Sequence, residues 1–410
     1  MKDSRKIMKL VALLLGMALF FSVAACNQDN GKTPETAKKP EGSESAAPVP
    51  AGDPIVIGAI LPLSSSAGVS GNRVRSGMEA AAAAINADGG IDGRPVNIIF
   101  EDIESSDPQL ALSAAEKLIH QDKAVAIVGC YGSSASLAVL PVCEENEIAM
   151  VEPVATSPLL TSGSKWVFRV TSTNGIDAEA VGPYLPAMGF TKVAYLPVDN
   201  DWGLSVVKGY IPVLEAAGAE TIEVLPVTIG ETDYLAQLTK IKNSGANSVI
   251  ITQDIESNAT LIRQIKEAGM DDFKILSTSG NNSSMIYKLI GEVADDTYYV
   301  EYYAEPDMKG APNAERGREF VEYFATIDPD TAVDFFVITG YNSVMVLNEA
   351  IKDAGSTDRV AIRDALQKVE YDSLRGTIAF DEFGQSHGDV VLTHLHGDGS
   401  IDVIDYKNQK

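Results

Sequence analysis

A chain of 410 residues is too long for one ordinary domain and long enough for two with full cores. Its hydrophobic fraction of 45% and charged fraction of 22% exclude a disordered or wholly membrane-embedded chain. A formal net charge of -25 excludes nucleic acid as a partner, because a phosphate backbone is bound by clustered Lys and Arg.

The N-terminus reads as a unit of its own. Lys2, Arg5, Lys6 and Lys9 form a basic head, residues 10–21 an apolar run, and Ser22-Val23-Ala24-Ala25 a small-residue approach to Cys26. This order predicts an export signal over residues 1–25. The apolar run is shorter than the about 17 residues that a spanning helix needs. The small pair before Cys26 resembles a lipoprotein signal, which implies that Cys26 is lipidated, becomes the new N-terminus and anchors an exported protein to a membrane surface. Residues 26–53 are rich in Pro, Ala, Ser, Glu, Lys and Gly with almost nothing to bury, and predict a flexible tether.

The body then alternates short apolar runs with helical segments. Strands are predicted at 55–60, 96–100, 125–129 and 148–151, separated by a Ser- and Gly-rich loop at 62–72 and by helices at 77–87, from 108, and at 134–146. Met78, Ala81, Ala82 and Ile85 give the first helix a buried stripe, and Pro108 starts the second where a missing N–H costs nothing. The repeat predicts a doubly wound α/β layer. A further apolar run at 166–170 and a helix from about 176 lead to a second series. Its strands are at 193–196, 222–227, 248–252 and 274–277, with helices at 204–217, 234–244 and 259–268. After a strand at 297–303 come helices at 314–327, 335–354 and 359–369, which are expected to cover the first sheet. Strands at 377–380, 390–395 and 402–405 are assigned to the second. Two lobes follow, residues 54–172 with 303–375 and residues 173–302 with 376–410, crossed near 172, 303 and 375 by a three-segment hinge.

The stretch from 125 to 158 is the centre of this plan. Its two polar turns follow the carboxyl ends of strands, where open parallel sheets bind ligands. Ser133, Ser134, Thr156 and Ser157 are short donors suited to a small anionic or zwitterionic group, and no general base stands beside them. As helix caps, Ser133 and Thr156 would be doing a common job of such residues. Cys130 and Cys143 bracket the helix at 134–146 and, at about 1.5 Å per residue, are too far apart for a disulfide, so both are expected to be buried free thiols. Neither suits a metal. Of His120, His387, His394 and His396, only the last two share a strand face, and they read as surface imidazoles on a late edge strand. No GxGxxG follows the first strand, no GxxxxGK[ST] occurs, and no nucleophile has an oriented base, so neither a cofactor nor catalysis is expected.

These residues resemble the bacterial extracytoplasmic solute-binding proteins of branched-chain amino acid type, which deliver ligand to ATP-driven importers. The resemblance runs from about 54 to 400. It is carried by Ile57-Gly58-Ala59-Ile60-Leu61-Pro62-Leu63-Ser64, Gly71 with Gly77, and Ile85-Asn86-Ala87-Asp88-Gly89-Gly90-Ile91-Asp92-Gly93-Arg94. It continues through Glu101-Asp102, Ser106-Asp107-Pro108, Val128-Gly129, Gly132-Ser133-Ser134, Glu152-Pro153-Val154-Ala155-Thr156-Ser157-Pro158 and Phe168-Arg169-Val170.

The resemblance implies a type I periplasmic-binding-protein fold of two Rossmann-like lobes. The expected function is the ligand-binding component of an ABC importer, a monomer that closes on a small amino acid or related carboxylate and serves permease and ATPase subunits. A lipoprotein presenting bound solute to a receptor is the alternative, and an enzyme acting on a small solute a further one. Ser133 and Thr156, with the backbone at Val154, inherit the grip on the ligand carboxylate, and Ser70 belongs to the rim loop 64–70. The second lobe departs from the family pattern. Trp202 stands where a Tyr is common, the next aromatic aligns near Asp254, and the usual acid falls near Ser279 in Ser277-Thr278-Ser279-Gly280. Asp254 is therefore the candidate for a ligand ammonium, Trp202 for an apolar or cation–π wall, and Gly280 for the third turn. Trp202 would serve equally as hinge-side core and Asp254 as a solvated loop acid. Asp199 and Asp201 read as turn formers.

Overall fold

The computed structural model describes residues 52–406 except 65–66, 105–106, 279–280 and 389. The export signal, Cys26 and the tether up to residue 51 lie outside the described residues, as does Gly280.

The first sheet is built from β1 (Ile55–Leu61), α1 (Gly68–Ala87), β2 (Val96–Asp102), α2 (Pro108–His120), β3 (Ala126–Gly129), α3 (Ser133–Glu145), β4 (Met150–Glu152) and β5 (Val167–Arg169). All its pairings are parallel, in the order β2-β1-β3-β4-β5. The chain then runs through α4 (Asn174–Val181), β6 (Lys192–Pro197), α5 (Asp201–Ala216), β7 (Glu220–Val224), α6 (Leu235–Ser244), β8 (Ser248–Thr252), α7 (Ile255–Glu267), β9 (Lys274–Ser277), α8 (Ser283–Ile290) and β10 (Thr297–Glu301). Helices α9 (Ala314–Phe324), α10 (Phe335–Ala354) and α11 (Arg359–Leu366) follow, then β11 (Glu370–Ser373), β12 (Gly376–Ala379), β13 (Val391–Leu395) and β14 (Ile401–Val403).

The second sheet has the order β14-β13-β10-β9-β8-β6-β7, parallel from β7 to β10 and antiparallel beyond. Its parallel part repeats the winding of the first sheet. In each, the first strand lies between the second and third, so each lobe has one switch point where loops diverge to opposite faces and leave a crevice. The expected two-lobed α/β architecture is the one observed, and α10 covers the first sheet by packing along α1 and against β3 and β4. Glycines set that spacing: a Cβ on Gly77 would stand 2.0 Å from the Val337 carbonyl oxygen, and one on Gly340 2.1 Å from that of Val74.

Four expectations need correction. Helix α1 begins at Gly68, nine residues before the predicted start. Its first turns are rich in Gly and Ser, poor helix formers in isolation. They are held by tertiary packing so close that a Cβ on Gly71 would meet the Pro62 carbonyl oxygen at 1.8 Å. The short helix α8 was not foreseen at all. Strand β12 does not join the second sheet but pairs with β11. The segment after it returns to the first sheet's edge: Phe380 packs edge-on against Phe168 and the Arg169 amide donates to the Gly384 carbonyl at 2.8 Å. Finally, β13 is not an edge strand, since β14 covers it. His394 stacks on Tyr298 at 4.2 Å and pairs with Asp296. Among the described residues no group of three or more His, Cys, Asp or Glu could hold a metal ion. Cys130 and Cys143 are both free and buried.

Candidate functional site

The two crevices face one another across a cavity of about 140 Å³. From the first lobe it is lined by Ala67 and Ser70 after β1, Tyr131 to Ser134 after β3, and Val154 to Thr156 after β4. From the second come Val198, Asn200 and Trp202 after β6, Ile229 after β7, and Gln253, Asp254 and Ile255 after β8. For scale, a cavity of about 150 Å³ encloses a benzene-sized group.

The first-lobe end is a set of neutral donors. Gly132 is the N-cap of α3 and makes no side-chain cap bond, so the first amides of that helix keep their partial positive charge facing the cavity. Ser133 is buried and does not cap. Its Oγ accepts from the Ser157 amide at 3.3 Å, which leaves its own proton for another acceptor. Thr156 Oγ1 is buried without a hydrogen-bond partner among the described residues. Tyr131 has a left-handed backbone (φ 74°), unusual for a bulky residue, and its ring stacks on Phe336 of α10 at 6.1 Å.

The second-lobe end carries a carboxylate and an amide oxygen as acceptors, beside the indole of Trp202 and the amide of Asn200. Gln253 is buried, its Nε2 donating weakly to the Leu196 carbonyl at 3.4 Å and its Oε1 left without a partner among the described residues. Asp254 is the N-cap of α7, accepting the Ser257 amide at 2.8 Å. Among the described lining residues, Asp254 is the one that carries a charge and none is cationic. Trp202 is half-buried in the wall, on the first turn of α5, whose N-cap Asn200 accepts from Gly203 at 3.0 Å.

The lobes also touch beside the cavity. Ser134 Oγ donates to Asp201 Oδ2 at 2.8 Å, joining the starts of α3 and α5. Arg73 on α1 is paired with Asp334 and reaches Met285 Sδ of α8 at 3.2 Å. Both contacts join the lobes directly.

Beneath the first-lobe turns lies buried charge. Desolvation pushes the Glu152 carboxyl up, opposed by Ser136, the amides of Ala155 and Val154, and Arg169. Burial pulls Arg169 down to about 10, with Glu152 opposing. Where the chain crosses between lobes, burial raises Asp177 to about 7, against a hydrogen bond from the Tyr302 hydroxyl.

Of the residues expected at the site, Ser70, Ser133, Val154, Thr156, Trp202 and Asp254 are brought together around this one cavity. Asp201 bonds across the cleft instead of merely forming a turn. Tyr131, Asn200, Ile229 and Gln253 were missed. Tyr131 and Gln253 each precede an expected site residue by one or two positions, a signal that could have found them. Ile229 sits in the connection between β7 and α6, where nothing in the sequence marks it.

The sequence from 54 to 400 matches the periplasmic binding protein family. A "Leu/Ile/Val-binding protein homolog 3" of Brucella melitensis biotype 1 is 29% identical over 334 residues, which are 80% of this chain and 88% of the relative. The leucine binding protein LivK of Thermotoga maritima has a TM-score of 0.76 at 26% identity, over 85% of this chain and 97% of that one. A solute binding protein of an ABC transporter from Rhodopseudomonas palustris, solved with 3,4-dihydroxybenzoic acid, has a TM-score of 0.77 at 19% identity, over 86% and 97% of the two chains. The last likeness speaks for the fold alone. The relatives are binding proteins, not enzymes, and with a family match that spans most of its length this chain belongs to the periplasmic binding proteins.

Proposed function

We propose that the chain is the solute-binding component of an ABC importer and captures a small α-amino acid with an apolar side chain. One observation carries the reading: neutral donors line one end of the cavity, acceptors with a single carboxylate line the other, and a buried polar atom at each end lacks a partner among the described residues. Leaving such an atom unsatisfied costs about 1–3 kcal/mol. A zwitterion would satisfy both, its carboxylate on Ser133, Thr156 and the start of α3, its ammonium on Gln253 and Asp254. The apolar side chain would lie against Tyr131, Val154, Trp202 and Ile229. The relatives named for leucine, isoleucine and valine support this choice. Family membership gives an extracytoplasmic location; lipid on Cys26 and delivery to a permease with its ATPase belong to the proposal.

A second reading, an aromatic carboxylate, is favoured by the Tyr131 and Trp202 rings and opposed by Asp254, which such a ligand would leave desolvated without a cation. The chain has two tryptophans, and Trp166 is buried in the first lobe beneath Arg363. Titration with leucine is expected to give a saturable change in tryptophan emission in the parent and in Trp166→Phe, but not in Trp202→Phe. Saturation by benzoate and not by leucine would favour the second reading. A change carried by Trp166 would reject the site.

A further inference from the structure

We propose that Glu152, which does not line the cavity, is the positioning residue that fixes the two first-lobe turns relative to each other. This rests on the reading that those turns hold the ligand's anionic group. Glu152 ends β4 with its side chain fully buried. Its Oε1 accepts the amides of Val154 at 3.2 Å and Ala155 at 3.1 Å. Pro153, between Glu152 and Val154, has no N–H, so these are the first two donors of the turn that ends in Thr156.

Its Oε2 accepts from Ser136 Oγ at 2.7 Å. Ser136 Oγ in turn accepts the Cys130 amide at 3.2 Å and lies 3.0 Å from the Gly132 carbonyl oxygen. One carboxylate therefore grips the 153–156 turn directly and the 130–132 turn through a single hydroxyl. Ser133 and Thr156 are the side chains those turns present, and the Ser157 amide bonded to Ser133 Oγ closes the ring of contacts.

The chemistry explains why an acid stands here. A neutral apolar residue would leave two adjacent amides without an acceptor in a place closed to water, and Ser136 bonded to its own turn's Gly132 carbonyl instead of to the neighbouring turn. A carboxylate accepts all three at once, and the nearby Arg169, whose Nη2 donates to the Ser157 carbonyl at 2.6 Å, offsets its charge. Donors meant for a desolvated anion must be held to within about 0.5 Å, which flexible turns do not achieve unaided.

The test compares Glu152→Leu, Glu152→Gln and Ser136→Ala with the parent, by amide exchange in ligand-free protein and by leucine affinity. In E152L, exchange at Val154 and Ala155 is expected to rise about tenfold or more and leucine binding to weaken about tenfold. E152Q keeps an oxygen for both amides and is expected to return both readouts to within about threefold of the parent. S136A is expected to keep Val154 and Ala155 protected while weakening leucine severalfold through the other turn.

Parent-like exchange at the two amides in E152L, or E152Q no better than E152L, would overturn the assignment. Should E152L not fold, S136A binding leucine as tightly as the parent would overturn it. A parent that does not bind leucine would reject the ligand reading alone, because the exchange comparison needs no ligand.

Discussion

Replacing Ser133 by Ala and Thr156 by Val together is expected to weaken leucine binding by about a hundredfold or more. A hydrogen bond to a charged group contributes about 1.5–3 kcal/mol, and the cavity offers no cation among its described lining residues to compensate for losing two. The separate effects on stability differ in sign. Thr156 Oγ1 has no partner among the described residues, so Thr156→Val removes an unsatisfied hydroxyl and is expected to hold or slightly raise the melting temperature. Ser133→Ala removes the acceptor of the Ser157 amide and is expected to cost about 1 kcal/mol. Calorimetric titration and thermal melts of both single variants and the double check these outcomes. A double variant within about threefold of the parent affinity would show that the anion is held elsewhere.

The largest effect on stability is expected from Asp177. Its carboxyl is raised to about 7 by burial, with the Tyr302 hydroxyl, Ser172, Arg375 and Arg169 opposing. Because the folded value lies above the ordinary 3.8, the folded protein holds a proton that the unfolded chain has released. This group's contribution is fully present below about pH 4, falls as pH rises toward 7, and changes no further above that. At 1.36 kcal/mol per unit the loss is on the order of 4 kcal/mol. Asp177→Asn stays neutral and can still accept from Tyr302, so its unfolding free energy should exceed the parent's at pH 8 and lose that advantage by pH 4. Glu301, raised to about 8 by burial, acts in the same direction and is untouched by the change. Urea unfolding at pH 4, 6 and 8 gives the comparison, and parallel curves for the two proteins would reject it.

The first lobe was readable because its information is local. Strand, polar turn and helix follow one another within 125–158, and the residues that face the cavity are the turn residues themselves. The second lobe's contribution depends on where loops far apart in sequence converge. Gln253 carries no pattern of its own, and Ile229 reaches the cavity only because the connection after β7 passes over it. The helical start at Gly68 was hidden because Gly and Ser there serve close packing against Pro62, which intrinsic propensity does not register. Strand β12 was assigned to the wrong sheet because an apolar run gives no hint of its neighbour. Its place is decided by the β11 hairpin and by Phe380 on Phe168.

Leucine and 4-methylpentanoate differ by the amino group alone, so a calorimetric comparison of the two asks directly whether opposite ends of one cavity hold a carboxylate and an ammonium. Leucine is expected to bind at least about tenfold more tightly, since 4-methylpentanoate has no ammonium and would leave Asp254 and the Gln253 oxygen facing it without a donor. Equal affinity for the two, or no binding of leucine, isoleucine or valine, would contradict the account.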